Sequence, residues 1–443
     1  LNRNRILLGL LGLSLVLLVG ALTYSFVRND DSYKYFTGLG DSFSISPDDK
    51  SIVFSYYQNG KEAIYTAKID GRDVTKITEP NHHRHHDPKY SPNGGKLLYL
   101  SKNNKGVNTL CISNRDGTKP RRLTDKSIHV GDTVFSPSAD KIYFTGIPAE
   151  DLKRKEGEKK NGVDLYSVSV DGSHMKQLTN DDRFTMDNLS ISKDGKVIYF
   201  SDFDGNSEKI RSYLLEEGRE RGPISPKGLS GDMSAYHSQL SPDGKWWAFT
   251  AVSKKAQHSS LFEYDLFLMD TKTGRTKRMT DLNDSVMSPV FFHHGQKIAF
   301  LENTNWAAEP AEYRLRTINL ESKKLGTIHL DMPAAHESVW FGKLLDRSVN
   351  GFTIAVLYII LFALGAVYMH YNHPKRSYLP AIISFVLSIS LFIASFIVAG
   401  TIDPWMAIGV GIVSAGIFIC SIIVFIFTFG FKRVTSALNK KRL

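Results

Sequence analysis

The densest group of potential ligands in this 443-residue chain is His82-His83-Arg84-His85-His86-Asp87. Imidazoles and a carboxylate suit zinc, copper or nickel. His82, His83, His85, His86 and Asp87 are therefore candidate metal ligands, and a divalent ion there is the one cofactor the sequence raises. Adjacent histidines diverge in direction, so two or three at most could share an ion, and a histidine tract read from composition alone is weak evidence. A second set is defined by register. Ser42, Asp87, Asp132, Asn188 and His237 each lie four residues before a recurring turn serine, and His129 lies nearby in the third such segment. Polar residues repeated at one register are what a shared ligand-binding mouth would require.

Nucleophilic chemistry finds little support. Gly40-Asp41-Ser42 has the letters of an esterase motif but heads a repeat instead of ending a parallel strand. No Gly-x-Ser-x-Gly elbow, P-loop or dinucleotide fingerprint occurs. His293-His294 stands where other repeats have Ser-Pro and reads as an eroded turn. Trp246, Trp247, Tyr56, Tyr57 and Trp306 are candidates for a carbohydrate or peptide surface, although strand alternation sends about half of such residues into the core.

The elements that must position these residues are repeats. In Leu240-Ser241-Pro242-Asp243-Gly244-Lys245-Trp246-Trp247-Ala248-Phe249, Pro242 presets φ, Gly244 supplies a permissive backbone and Asp243 can bond nearby backbone. A strand, this turn, two more strands, an Asp-Gly turn and a last strand ending in Leu-Thr make one unit. The turn serine or its equivalent falls at 46, 91, 136, 192, 241 and 293, spaced 45, 45, 56, 49 and 52 residues apart. A period of ~40–50 residues with four short strands is the signature of a β-propeller, and six copies predict six blades.

These repeats, Ser-Pro-Asp-Gly-Lys followed by an apolar triplet and later by Asp-Gly and Leu-Thr, resemble the WD40-like repeats of the TolB family. Such repeats are also found in the propellers of dipeptidyl peptidase IV-type enzymes. The resemblance covers about 41–330. It implies a propeller that binds something, and some propellers of this repeat type are metal-assisted polysaccharide lyases or hydrolases. The chain departs from the pattern in the second half of repeat four, in the turn of repeat six, in having no α/β domain before the propeller, and in its membrane segments. After repeat six the sequence runs directly toward apolar segments, leaving no room there for the α/β-hydrolase domain of a peptidase.

Ile6–Val27 is apolar, follows Arg3 and Arg5, and is long enough to cross a ~30 Å hydrocarbon core. A signal peptide cleaved after Ala21 is the rival; apolar character continuing through Val27 favours an uncleaved anchor. Three further spans lie at about 351–371, 379–402 and 405–431. The basic residues Lys375, Arg376, Lys432, Arg433, Lys440, Lys441 and Arg442 place both termini in the cytoplasm and the polar region outside it. No span carries Asp, Glu, Lys or Arg in its core, which disfavours a transporter acting alone. Gly409, Gly411, Ala415 and Gly416, with Ser384 and Ser388, are expected to pack the spans together.

Two cysteines, Cys111 and Cys420, are not expected to pair. A disulfide-free exported domain is usual in some bacteria, so a bacterial envelope is the expected setting. The net charge of +10 arises largely from membrane-flanking residues and the 153–160 loop, with no basic groove for nucleic acid. The expected fold class is mainly β, a six-bladed TolB-like β-propeller plus four transmembrane α-helices, one N-terminal and three C-terminal. The expected organisation is an anchor at 1–30, the extracytoplasmic propeller at 31–333, a linker at 334–349, three membrane helices at 350–431 and a basic cytoplasmic tail at 432–443. The expected function is a binding scaffold or sensor in the cell envelope, with the lipid bilayer and an envelope protein as partners and no nucleic acid. The alternatives are a polysaccharide lyase or hydrolase at the channel mouth, and an accessory subunit of a transport complex.

Overall fold

Each Ser-Pro-Asp-Gly turn closes on its own serine. Ser46 Oγ accepts the Ser51 N–H at 2.9 Å, Ser91 Oγ that of Lys96 at 2.9 Å, Ser136 Oγ that of Lys141 at 3.0 Å, Ser192 Oγ that of Val197 at 2.9 Å and Ser241 Oγ that of Trp246 at 2.9 Å. The turn therefore fixes the register of the strands on either side. The Leu-Thr signature has an equally local cause. Thr78, Thr124, Thr179 and Thr280 use Oγ1 to accept the N–H of Ile64, Leu110, Leu165 and Leu266 at 2.9–3.0 Å, replacing a ladder bond where the short outer strand ends. Gly71, at φ +89°, shows why the Asp-Gly turn keeps its glycine: a Cβ would lie 1.7 Å from the His329 carbonyl oxygen.

The structure is a computed structural model; it describes residues 3–440 apart from 82, 155–157, 225, 228–233, 254–262, 283 and 335–338. The described strands form six four-stranded antiparallel sheets, each built from consecutive strands. Blade one holds β1 (Gly38–Ile45), β2 (Ser51–Gln58), β3 (Lys61–Lys68) and β4 (Thr75–Lys76). Blade two holds β5 (Arg84–Tyr90), β6 (Lys96–Lys102), β7 (Asn108–Asn114) and β8 (Arg121–Arg122). Blade three holds β9 (Ile128–Phe135), β10 (Lys141–Pro148), β11 (Asp164–Ser169) and β12 (Lys176–Gln177). Blade four holds β13 (Asp187–Ile191), β14 (Val197–Phe203), β15 (Glu208–Leu214) and β16 (Arg219–Ile224). Its second half, irregular in sequence, is an antiparallel hairpin whose register slips between Ile210 and Ser212. Blade five holds β17 (Tyr236–Leu240), β18 (Trp246–Val252), β19 (Tyr264–Asp270) and β20 (Thr276–Arg278). Blade six holds β21 (Ser285–Phe291), β22 (Lys297–Asn303), β23 (Tyr313–Asn319) and β24 (Leu325–Thr327).

A single blade is apolar on both faces, so it must be covered on both. Six apolar clusters do this, one at each junction between neighbouring blades. The ring closes where Ile52, Phe54 and Tyr65 of blade one pack with Ala299, Leu301 and Leu315 of blade six. Among the described residues no strand is exchanged at this seam. Polar bonds reinforce it: the N–H groups of His293 and His294 donate to the two oxygens of Asp49 at 2.8 and 2.7 Å, and the Asp331 N–H donates to the Gly71 carbonyl at 3.0 Å. His293-His294 is thus a clamp on blade one.

One alignment shifts. Phe292, rather than His293, occupies the turn-serine position, because its N–H bonds the Lys297 carbonyl as that of Ser46 bonds Ser51. Ser288 then becomes the sixth member of the set four residues before the turn.

A second unit comprises Leu1–Asp30 with Ser338–Leu443. It contains α1 (Arg3–Val27), α2 (Trp340–Ser348), α3 (Gly351–Asn372), α4 (Leu379–Thr401) and α5 (Pro404–Lys440). All but α2 are long and apolar enough to cross a membrane. The stretch read as a linker thus carries a helix, and α5 continues through most of the basic tail. Serines join α4 to α5: Ser384 Oγ meets Ser421 Oγ at 2.6 Å, and Ser388 and Ser414 exchange hydroxyl-to-carbonyl bonds at 3.1 and 2.9 Å. The glycines do not share this role. A Cβ at Gly409, Gly411 or Gly416 would meet nothing within 4 Å. Their close-packing expectation is corrected in favour of Ala407, Ser414 and Ser421, the buried side of the helix. Cys111 and Cys420 are both buried and free.

Candidate functional site

The innermost strands all break their ladder just before the turn. The register slips between Leu39 and Phe43, His86 and Lys89, Asp187 and Ser190, Tyr236 and Gln239, and Met287 and Val290, and in blade three beside Val130–Thr133. In four blades the bulged residue takes a left-handed backbone: Asp87 at φ +51°, Asn188 at +56°, His237 at +49° and Ser288 at +47°. Asp, Asn and His tolerate this conformation better than most side chains, which accounts for their recurrence at this register. Blades one and three hold Gly40 and Gly131 inside the bulge instead. A Cβ there would meet Ser55 Oγ at 1.9 Å or Thr145 Oγ1 at 2.7 Å.

The bulges open an axial chamber of about 330 Å³. Ser42, Asp87, Asp132, Asn188 and His237 all line it, and Ser288 completes the set. Asp41, His86, Lys89 and Asp187 line it too. A second section of about 350 Å³ shares Phe43, Lys89, Leu189, Gln239 and Val290 with the chamber and reaches the turn prolines Pro47, Pro92, Pro137 and Pro242.

Four of the six bulges are anchored on their own second strand. Ser42 Oγ meets Ser55 Oγ at 3.4 Å, the Asp132 N–H donates to Thr145 Oγ1 at 2.8 Å, Asn188 Nδ2 donates to Ser201 Oγ at 3.2 Å, and His237 Nδ1 meets Thr250 Oγ1 at 3.1 Å. All four partners lie thirteen residues onward; blades two and six have Leu100 and Leu301 there. Neighbouring blades are tied as well. The Asp87 N–H donates to Ser42 Oγ at 3.0 Å, the Leu189 N–H to Asp132 Oδ2 at 2.6 Å, and Ser288 Oγ to the Asp41 carbonyl at 3.0 Å.

Lys89 is the chamber's ammonium. Its Nζ lies 2.5 Å from Asp132 Oδ1, 2.7 Å from the Thr133 carbonyl and 3.6 Å from Asp87 Oδ2. Burial works against its charge, but Asp132 and Asp87 outweigh burial and hold its pKa above the ordinary lysine value. Burial pushes Asp87 upward while Lys89 pulls it back. Burial, with Asp132, raises Asp187 to about 6. Burial lowers His237 to about 4, against the pull of Asp41. Just behind the wall, burial raises Glu62 to about 7, with His86 opposing and Asp41 adding to the rise. Among the described lining residues four carboxylates, those of Asp41, Asp87, Asp132 and Asp187, stand against one ammonium, giving the chamber an acidic balance.

The histidine cluster is divided by strand alternation. His86 lines the chamber, its Nε2 3.2 Å from Asn108 Oδ1. His85 packs its ring against Tyr99, with centroids 5.0 Å apart, and burial lowers its pKa to about 4. His83 Nδ1 meets Ser101 Oγ at 3.4 Å, and His82 lies outside the described residues. His129 is not among the residues lining the chamber: its Nδ1 accepts the Asn108 N–H at 3.1 Å. Among the described residues no three His, Cys, Asp or Glu side chains converge as metal ligands do. The aromatic candidates are also dispersed. Trp247 and Tyr57 are buried, Trp246 stacks under the Lys277 ammonium and Trp306 meets Tyr264 edge-on.

Asp41, Lys89, Asp187 and Ser288 escaped the sequence reading. Lys89 sits two residues before its turn serine, where the other repeats carry Ser, Val or Gln, so counting in register would have placed it in the lumen. Ser288 was hidden by the one-residue shift of repeat six.

Sequence comparison agrees with this architecture. A family model described as the dipeptidyl peptidase IV N-terminal region matches residues 82–206. A protein TolB homolog of Chlorobium chlorochromatii is 27% identical over 173 residues, 39% of this chain and 34% of that protein. The polar unit is a TolB-like six-bladed β-propeller. An uncharacterized peptidase, YuxL of Bacillus subtilis, is 26% identical over 183 residues, 41% of this chain and 24% of that protein. The chain thus spans about a quarter to a third of the length of these two curated relatives. Among solved structures, TolB from Acinetobacter baumannii superposes with a TM-score of 0.49 at 19% identity, covering 65% of this chain and 63% of that one. An oligogalacturonate lyase in complex with manganese gives 0.47 at 13%, covering 71% and 82%.

Proposed function

We propose that the protein is a membrane-anchored, extracytoplasmic binding module of the cell envelope, and that its TolB-like propeller receives a cationic segment of a partner protein in the axial chamber. The observation that carries this reading is the chamber itself, where all six blades contribute a polar residue and four carboxylates face one ammonium. Its lining groups are engaged in holding one another, as suits a preformed receptor. Asp41 and Asp187 are the lining carboxylates outside the Lys89 ion pairs. Four helices long and apolar enough to span a membrane support the anchoring. The basic residues at Arg3, Arg5, Lys375, Arg376, Lys432 and Arg433 support cytoplasmic termini and an external propeller.

The test is co-purification from native membranes in mild detergent, comparing the parent with an Asp41→Asn, Asp187→Asn variant. The reading expects a co-purifying protein whose yield falls when the two charges are removed and which falls likewise at raised salt. Identical companions for both proteins at every salt concentration would refute it.

A further inference from the structure

Helix α2 presents an exposed apolar surface outside the propeller. Its nine residues divide at helical periodicity into two arcs. Trp340, Phe341, Leu344 and Leu345 fall on one, with the small Ser348 among them, and Gly342, Lys343, Asp346 and Arg347 on the other. The apolar arc is outward: Trp340 is 64% exposed, Phe341 62% and Leu344 53%. The polar arc is the one held. Tyr24 Oη, near the end of α1, donates to Asp346 Oδ1 at 2.5 Å, and Arg28 Nη1 donates to the Val349 carbonyl at 2.9 Å just beyond α2. The chain then bends at Val349-Asn350, where Asn350 caps α3 by accepting the Thr353 N–H at 3.0 Å. Helix α2 therefore sits at the level where α1 ends and α3 begins.

We infer that α2 is an interfacial helix, its Trp340–Phe341–Leu344 face seated among the headgroups and upper acyl chains of the bilayer. The occupant follows from what adjoins the face. Phe26 and Val27 at the end of α1 and Phe352 at the start of α3 are exposed apolar residues at the same level, so the apolar arc continues the lipid-facing surface of the spanning helices. Tryptophan is enriched at this depth, and a short helix with aromatic and leucine residues on one face and lysine and arginine on the other is the form that lies in the interface plane. Arg347 is exposed on the polar arc, where its charge suits lipid phosphates. The inference rests on the spanning reading of α1 and α3. It adds a third attachment, which would limit rocking of the chain where it leaves the membrane.

Nitroxide depth measurement tests it on the full chain in nanodiscs of phosphatidylcholine and phosphatidylglycerol. Single cysteines replace Phe341, Leu344, Lys343 and, as a control halfway along α4, Ile393; Cys111 and Cys420 are buried and the unmodified chain gives their background. Labels at 341 and 344 should favour oxygen over a water-soluble nickel chelate and report depths of roughly 5–10 Å, while the label at 343 favours the chelate. Chelate-accessible labels at all three sites, with Ile393 deep in the bilayer, would overturn the interfacial role and leave the spanning helices intact. Labels at 341 and 344 shielded from both reagents would overturn it in favour of a protein cover. A chelate-accessible label at Ile393 would overturn the spanning reading and this inference together.

Discussion

Lys89→Met isolates the electrostatics of the chamber. The substitution keeps most of the side-chain volume and removes the one ammonium between Asp87 and Asp132. Breaking a buried pair by deleting one partner typically costs 3–5 kcal/mol. Here the lower end applies. Lys89 is 28% exposed, and Asp132 keeps the N–H groups of Thr133 and Leu189 at 2.6 Å each. A loss of about 3 kcal/mol follows, equivalent to roughly 5 °C in Tm for a unit of this size. The assay is a thermal melt of the full chain in detergent, followed by tryptophan fluorescence. The variant's deficit should also shrink on acidification. With Lys89 gone, the facing carboxylates take up a proton more readily in the folded than in the unfolded state, so the variant gains stability relative to the parent as pH falls from about 7 to about 5. Adding Asp132→Asn should recover part of the loss. A Tm change within about 1 °C, or a deficit that grows at low pH, would refute the assignment of Lys89 as the charge that holds the chamber together.

Three further outcomes follow from the same geometry. His237 is held neutral, its pKa near 4 against 6.5 in a free chain. Its contribution is therefore present above 6.5 and lost as pH falls through 4, and His237→Asn, which suits the left-handed backbone, should flatten the acid limb of stability in that window. Asp49→Ala removes the acceptor for His293 and His294 at the blade-six seam. It should cost roughly 1–3 kcal/mol and speed amide exchange in blades one and six more than in blade three, whereas uniform acceleration would count against a seam clamp. Ser414→Leu should overpack the α4–α5 contact at a cost of roughly 1–3 kcal/mol, while Gly409→Leu, on an open face, should leave the purified protein's helical melt unchanged.

The propeller was legible because its signals are local. Ser-Pro-Asp-Gly, Asp-Gly and Leu-Thr each satisfy a hydrogen bond within one blade, so each copy that keeps them carries its own instructions. The register of Ser42, Asp87, Asp132, Asn188 and His237 was legible for the same reason. What escaped depends on two blades at once. Lys89 is explained by Asp132, which lies 43 residues away on the next blade, and the His293-His294 turn by Asp49 across the ring. The histidine cluster misled in the opposite way. Adjacent letters suggested a common site, but alternation along β5 turned His86 toward the axis and His85 against Tyr99. On α5, composition drew attention to the glycines, yet helical phase puts Ser414 and Ser421 at the contact.

The central claim is that a partner segment enters the chamber, and site-specific photocross-linking in cells tests it most directly. A photoreactive side chain at Gln239 projects from the chamber lining, and one at Lys176 on the exposed strand β12 serves as the outer control. The account predicts a discrete protein adduct from position 239 that weakens with Asp41→Asn, Asp187→Asn and does not form from position 176. No adduct at 239, or the same adducts from both positions, would contradict it.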